Sequence, residues 1–274
     1  MEIFQFGFMQ RAFLAGLIMA VVAPVIGIFL VLRRLALFGD GLGHIAFGGV
    51  ALGLFARVNP IVSALLLSVL GAIGIERLRS RGKLAGDAAI AIFFSSGLAM
   101  GLILAKLAGG YNSNLLGFLF GSLVSVTPTD LWLTAGLGGA VLLTVLLLRR
   151  ELFAVTFDEE TAKAAGLPVA ALNLLLAVLA AVTIVMAMRV VGLLLISALI
   201  VLPVAASLQL AKSFRGAFLI SIGFGLLSVI AGLFEAYYLD LPAGATVVLT
   251  ATLIFALAAS AAVFQKEPAT HGGR

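Results

Sequence analysis

The sequence predicts an all-α polytopic membrane protein of about nine transmembrane helices (eight to ten), with the N-terminus outside and the C-terminus cytoplasmic. Three observations predict it. Hydrophobic residues make up 63% of the 274-residue chain and charged residues only 11%, whereas soluble domains carry about 25% charged residues. Apolar runs close to the ~20 residues needed to cross a bilayer recur along the whole length. Finally, the Lys and Arg side chains fall in the gaps between those runs.

Taken in order, the runs cover residues 12–32, 41–56, 60–75, 88–107, 131–148, 170–188, 190–210, 216–235 and 243–264. The first is too long for the apolar part of a signal peptide, is followed rather than preceded by its arginines, Arg33 and Arg34, and has no small-residue cleavage site, so it reads as a span. A tenth stretch, 115–126, is too short to cross and reads as re-entrant or packed. Placing the loop ERLRSRGK (Glu76 to Lys83) in the cytoplasm leaves only Arg11, Arg57, Lys106 and Arg189 on the far side among seventeen basic residues. That asymmetry fixes the expected orientation.

Nearly the whole chain, 1–264, is therefore expected to form a single transmembrane domain, with 265–274 as a short polar tail in which His271 is solvated. The net charge of +5 resides in loops, which favours a membrane surface over nucleic acid as partner. Cysteine is absent, excluding disulfides, thiolate metal sites and Cys nucleophiles.

Asp40 and His44 stand out within LFGDGLGHIAFGGVALG (37–53). Four residues apart, they share one helix face, and a carboxylate with a neutral imidazole suits a divalent cation such as Zn(II), Mn(II) or Fe(II). Ionisable groups in a span usually mark a substrate or ion path. Spacing alone leaves a second reading open, a structural hydrogen bond between the two. Gly49 and Gly53 form a GxxxG that permits close helix packing.

Other acidic residues are less specific. Asp130, Glu235 and Asp240 lie at expected outer ends of spans, as Glu2 does at the N-terminus; they could enrich cations at an entrance or be ordinary interfacial residues beside Tyr237 and Tyr238. Asp87 reads as a helix cap or an exit residue. On the cytoplasmic side, TFDEETAKAAGLPVA (156–170) predicts a helix of about two turns near 158–166. Asp158 is its N-cap, Glu159 and Glu160 face the positive end of its dipole, Ala162 lies in its body, and Gly166 with Pro168 ends it. It could lie on lipid or dock on a partner.

The motif FGDGLGHIAFGGVALG followed by VNP resembles the permease subunits of bacterial ABC importers for zinc, manganese and iron(II), the ABC-3 family. LFGSLVSVTPTDL (119–131), MRVVGLLLISALIVLPVAAS (188–207) and YYLDLPAGATVVL (237–249) resemble later family motifs in the same order, with the zinc permeases the nearest branch. The resemblance implies that Asp40 and His44 meet metal in the translocation path. It implies that Asp158, Glu159, Glu160, Ala162 and Gly166 belong to a helix coupled to ABC ATPase subunits. It further implies a homodimer in the bacterial cytoplasmic (inner) membrane, fed by an extracytoplasmic metal-binding protein. Zinc is the expected cargo, with manganese or iron(II) as alternatives, moved by alternating access with no tightly bound cofactor. Two positions depart from the pattern: Gly43 stands where Ser or Ala is common, and FFSSGLAMG (93–101) has no histidine where some zinc permeases carry one.

The chain contains no G-x-x-x-x-G-K-[ST] phosphate loop, so ATP hydrolysis is expected in a separate subunit and the chain is not itself an enzyme. A proton-coupled secondary transporter is the rival reading of an aspartate and histidine within the membrane. Intramembrane metalloprotease chemistry lacks an HExxH, and there are only two histidines in all.

Overall fold

The computed structural model describes residues 5–80, 82, 86–110, 113–122, 124–193 and 195–266. The expectations placed on Glu2 and His271 lie outside them. The described residues form twelve α-helices. In chain order these are α1 (Gly7–Leu32), α2 (Phe38–Ala56), α3 (Pro60–Ser80), α4 (Gly86–Leu107), α5 (Ser113–Phe120) and α6 (Pro128–Leu147). They continue as α7 (Arg149–Phe157), α8 (Glu159–Ala164), α9 (Val169–Ala187), α10 (Ile196–Leu210), α11 (Phe214–Leu239) and α12 (Ala243–Lys266).

Eight of these are long and apolar enough to cross a membrane: α1, α2, α3, α4, α6, α9, α11 and α12. The remaining expected span, 190–210, the seventh in order, is helical only as the 15 residues of α10, about 22 Å of rise against ~30 Å of hydrocarbon. Its first part is used differently. Residues 118–122 and 189–193 run side by side, with Leu193 N–H donating to Phe118 O and Ser122 N–H to Arg189 O, both at 3.0 Å. Gly121 (φ 77°) and Gly192 (φ 89°) make this possible, since their left-handed backbone would strain any L side chain. The short stretch at 115–126 is thus packed: α5 ends in this pairing and touches α2 and α12.

Helices α1 and α2 form the centre, each 72% buried across its span, while α4 and α6 are only 28% buried. The outward residues of the peripheral helices are large and apolar, such as Leu66 and Leu70 of α3, Leu146 and Leu147 of α6, and Leu253 and Leu257 of α12. Such a surface is stable against lipid rather than water. α1 packs on α6, α9, α10 and α11; α2 packs on α3 and α4. The GxxxG works as expected, because a Cβ on Gly49 would stand 2.9 Å from Ser63 O and one on Gly53 2.7 Å from Pro60 Cα. Ser63 Oγ uses the proximity to donate to Gly49 O at 2.7 Å.

The turn from α1 to α2 is tight. Arg34 takes a left-handed backbone (φ 59°), Arg34 N–H bonds Val31 O at 3.0 Å and Leu35 N–H bonds Leu30 O at 2.8 Å. This is the Schellman arrangement, which satisfies the last carbonyls of a helix. It starts α2 four residues later, at Phe38, which is buried.

Candidate metal site

Asp40 and His44 occupy the first two turns of α2, on one face, and both are half-buried. Glycines on the other faces bring α2 close to its neighbours. A Cβ on Gly43 would lie 2.9 Å from Leu193 O, and one on Gly39 3.2 Å from Ser197 Cβ, so this side abuts the 189–193 segment and α10. On α4, a Cβ at Gly97 would lie 2.8 Å from the backbone of Ile45 and 2.9 Å from the carbonyl carbon of His44. The aspartate and histidine look out between these two contacts.

The imidazole of His44 rests against Phe94 of α4, ring centroids 4.0 Å apart at 58°. Its Nδ1 is buried and has no hydrogen-bond partner. A buried polar atom left unpaired costs free energy comparable to a lost hydrogen bond. Asp40 therefore does not accept a proton from Nδ1, and the purely structural hydrogen bond through that atom is not formed. In the tautomer that carries its proton on Nε2, this unpartnered Nδ1 has a lone pair available to a cation. Among the described residues no group of three or more His, Asp or Glu gathers to hold a metal. The chain thus offers one carboxylate and one imidazole here, fewer than the three or four protein ligands of a resident zinc.

The acidic residues expected at an entrance are engaged separately. Asp130 is buried and closes a capping box at the start of α6: its Oδ2 accepts from Thr127 N–H (2.9 Å) and Thr127 Oγ1 (2.8 Å), while its own N–H donates to Thr127 Oγ1 (3.1 Å). Arg189 Nε approaches the same carboxylate to 3.6 Å, and the Arg189 guanidinium lies 4.3 Å over Phe118. Glu235 accepts from Thr250 Oγ1 at 3.1 Å, and Asp240 ends α11 with a left-handed backbone (φ 52°). Asp87 lies in the first turn of α4.

The segment around 158–166 folds as α8. Asp158 caps it by accepting from Glu160 N–H and Thr161 N–H, both at 3.0 Å, and from Thr161 Oγ1 at 2.5 Å. The Thr161 hydroxyl above all, then the Thr161 and Glu160 N–H groups, holds the Asp158 carboxyl below its ordinary range. At the other end Gly166 (φ 84°) donates to Lys163 O at 3.0 Å and Leu167 to Ala162 O at 3.1 Å. Ala162 alone of the six residues is buried. Glu160 and Lys163 border an open groove of about 910 Å³ between α8, the end of α3 and the start of α9.

Glu159 is the residue whose partners spacing did not reveal. Its Oε1 meets Arg33 Nη2 at the end of α1, Asn173 Nδ2 of α9 at 3.1 Å and Arg79 Nη2 of α3 at 3.9 Å. Arg79 in turn pairs with Glu76 through two 3.0 Å bonds. Phe94 was equally hidden, being one apolar residue among many on a different helix from His44.

The sequence model of the ABC 3 transport family matches residues 5–262. Manganese import system permease protein ScaB of Streptococcus parasanguinis is 36% identical over 251 residues, 92% of this chain and 89% of that protein. High-affinity zinc uptake system membrane protein ZnuB of Haemophilus influenzae is 32% identical over 247 residues, covering 90% of this chain and 94% of that one. Among solved structures, PsaBC from Streptococcus pneumoniae in complex with Fab superposes with a TM-score of 0.84 at 35% identity, covering 93% of this chain and 91% of the solved one.

Proposed function

The chain belongs to the ABC 3 transport family, and from that membership and the site geometry we propose that it is the membrane-spanning permease of an ATP-driven importer of a divalent transition metal. The observation that carries the metal reading is the buried, unpartnered Nδ1 of His44, one turn from Asp40 in a central helix. Manganese and zinc fit this donor pair about equally: Zn(II) accepts imidazole and carboxylate in four-coordination, and Mn(II) favours carboxylate and water but accepts imidazole. Relatives named for each metal are similar to this chain. The zinc preference expected from sequence therefore broadens to zinc or manganese.

One carboxylate and one imidazole do not complete either coordination shell. A second copy facing the first across the half-buried side of α2 doubles the set to two oxygens and two nitrogens or more, which is the reason to propose a homodimer. Each chain still contributes few ligands, which suits passage, since a site that holds a cation tightly does not release it. The end carrying Arg33, Arg79 and α8 is the proposed cytoplasmic end, in keeping with the positive-inside distribution. There α8 is the helix that would meet a partner ATPase, because the chain carries no phosphate loop of its own. An extracytoplasmic binding protein would deliver metal at the opposite end, and the bacterial inner membrane is the proposed location.

ATP-driven uptake of labelled zinc and manganese into vesicles, with the chain and its ATPase reconstituted together, tests this. His44→Ala abolishes uptake on this reading while leaving the complex assembled. Uptake driven by a proton gradient with the chain alone selects the secondary-transporter reading instead.

A further inference from the structure

A charge cluster ties α8 to the bundle where α1, α3, α8 and α9 meet. Arg33 is a nearly buried cation, its side chain 6% exposed, and Glu159 is its carboxylate partner. One oxygen of Glu159 meets Arg33 and Asn173 and lies 3.9 Å from Arg79. Glu159 thus reaches the bundle from the same open groove that Glu160 and Lys163 line, with its side chain 45% exposed.

Both arginines lead to α2. Arg33 opens the hydrogen-bonded turn that ends at Phe38, two residues before Asp40. Arg79 ends α3, whose other end lies against Gly49 and Gly53 of α2. Arg33 is the buried member of a half-exposed ion pair, and removing its carboxylate partner leaves that buried charge uncompensated. Coupling between sites requires a physical element that both ends bias.

Resting on the reading of the chain as an ATP-driven permease, we propose that Glu159 is a positioning residue that carries movement of α8 to the metal site. By holding Arg33 and Arg79 on one oxygen it makes α8, the 33–37 turn and the end of α3 move as one piece, so that displacement of α8 shifts the start of α2 and with it Asp40.

The chain has no cysteine, so the double variant Arg33→Cys with Glu159→Cys carries the only two thiols of the permease and can be bridged with a short bismaleimide. The complex with its ATPase is reconstituted in vesicles, and metal moved per ATP hydrolysed is measured before and after bridging. The tether requires that ATPase co-purification and ATP hydrolysis persist in the unbridged variant while metal per ATP falls about tenfold, the usual size of a coupling effect. Bridging then restores the ratio, which a residue serving only to stabilise the fold would not do. Wild-type coupling in the unbridged variant, or no recovery on bridging, overturns the tether. Loss of the ATPase on purification shows Glu159 to be a docking contact and also overturns it. If the double variant does not reach the membrane, Glu159→Gln replaces it, and an unchanged ratio there overturns the proposal. Failure of the wild-type complex to move metal with ATP instead removes the permease reading, and the tether with it.

Discussion

The ring of Phe94 lies 4.0 Å, centroid to centroid, from the imidazole of His44 and fixes its plane from a neighbouring helix, while Nδ1 of that imidazole stays buried and unpaired. One helix supplies the proposed ligand and another the ring against which it rests. The proposed metal site thus depends on how α2 and α4 pack as well as on the four-residue spacing of Asp40 and His44.

Replacing Phe94 by Ala frees the imidazole to rotate. An aromatic pair is worth about 0.5–1.5 kcal/mol beyond its buried area, so the concentration of metal needed for half-maximal uptake rises about two- to tenfold with the complex still assembled. Kinetics of labelled metal uptake check this; an unchanged half-saturation value shows that the ring does not hold the ligand.

Gly97→Ala places a methyl group 2.8 Å from the backbone of Ile45. Overpacking of this kind costs about 1–3 kcal/mol and pushes α4 away from α2 at His44. Thermal unfolding in detergent is expected to shift down together with a loss of uptake. Gly136→Ala on α6, where nothing lies within 4 Å of the added methyl, serves as the control and is expected to change neither.

Asp130→Asn separates a capping role from an entrance role. The carboxylate closes the Thr127 cap and faces Arg189, so its loss is expected to lower stability by about 1–3 kcal/mol without changing the metal concentration at half-maximal uptake. A change in that concentration at unchanged stability would instead favour an electrostatic role at the entrance.

Asp158 makes α8 sensitive to acid. Its carboxyl in the folded protein lies below the ordinary value because the Thr161 hydroxyl and the backbone N–H groups bond its charged form. A depressed carboxyl stabilises above its unfolded value near about 4 and loses that contribution as pH falls through the folded value. Hydrogen exchange at Glu160 and Thr161 is therefore expected to accelerate, relative to the intrinsic rate, as pH drops below about 4. Asp158→Ala shows the faster exchange already at neutral pH and no such acid step; a step that persists in that variant assigns it to another group.

Much of the fold was legible because a bilayer demands long apolar helices, and α1, α4, α9 and α12 fall where the apolar runs lie. The ends of α8 were legible too, since Asp158 and Gly166 carry their capping chemistry locally. The unwound start of the 190–210 stretch was not, because it depends on backbone bonds to residues 118–122 about seventy positions away. Helix α7 (Arg149–Phe157) was hidden by its charges, Arg149, Arg150 and Glu151, which read as a loop beside an apolar run. At the site, Asp40 and His44 were visible through their spacing. Phe94 and the Arg33 to Glu159 pair, 126 positions apart, became visible only in three dimensions.

On the proposed mechanism a cation crossing this protein is held by His44 and Asp40. Electron spin-echo measurement of Mn(II) in the nucleotide-bound complex with its ATPase tests it most directly, because a coordinated imidazole imprints its nitrogen coupling on the echo. That coupling is expected in the wild-type complex and is expected to disappear in His44→Gln. Nitrogen coupling that survives the substitution, or its absence from wild type when metal is bound, would contradict it.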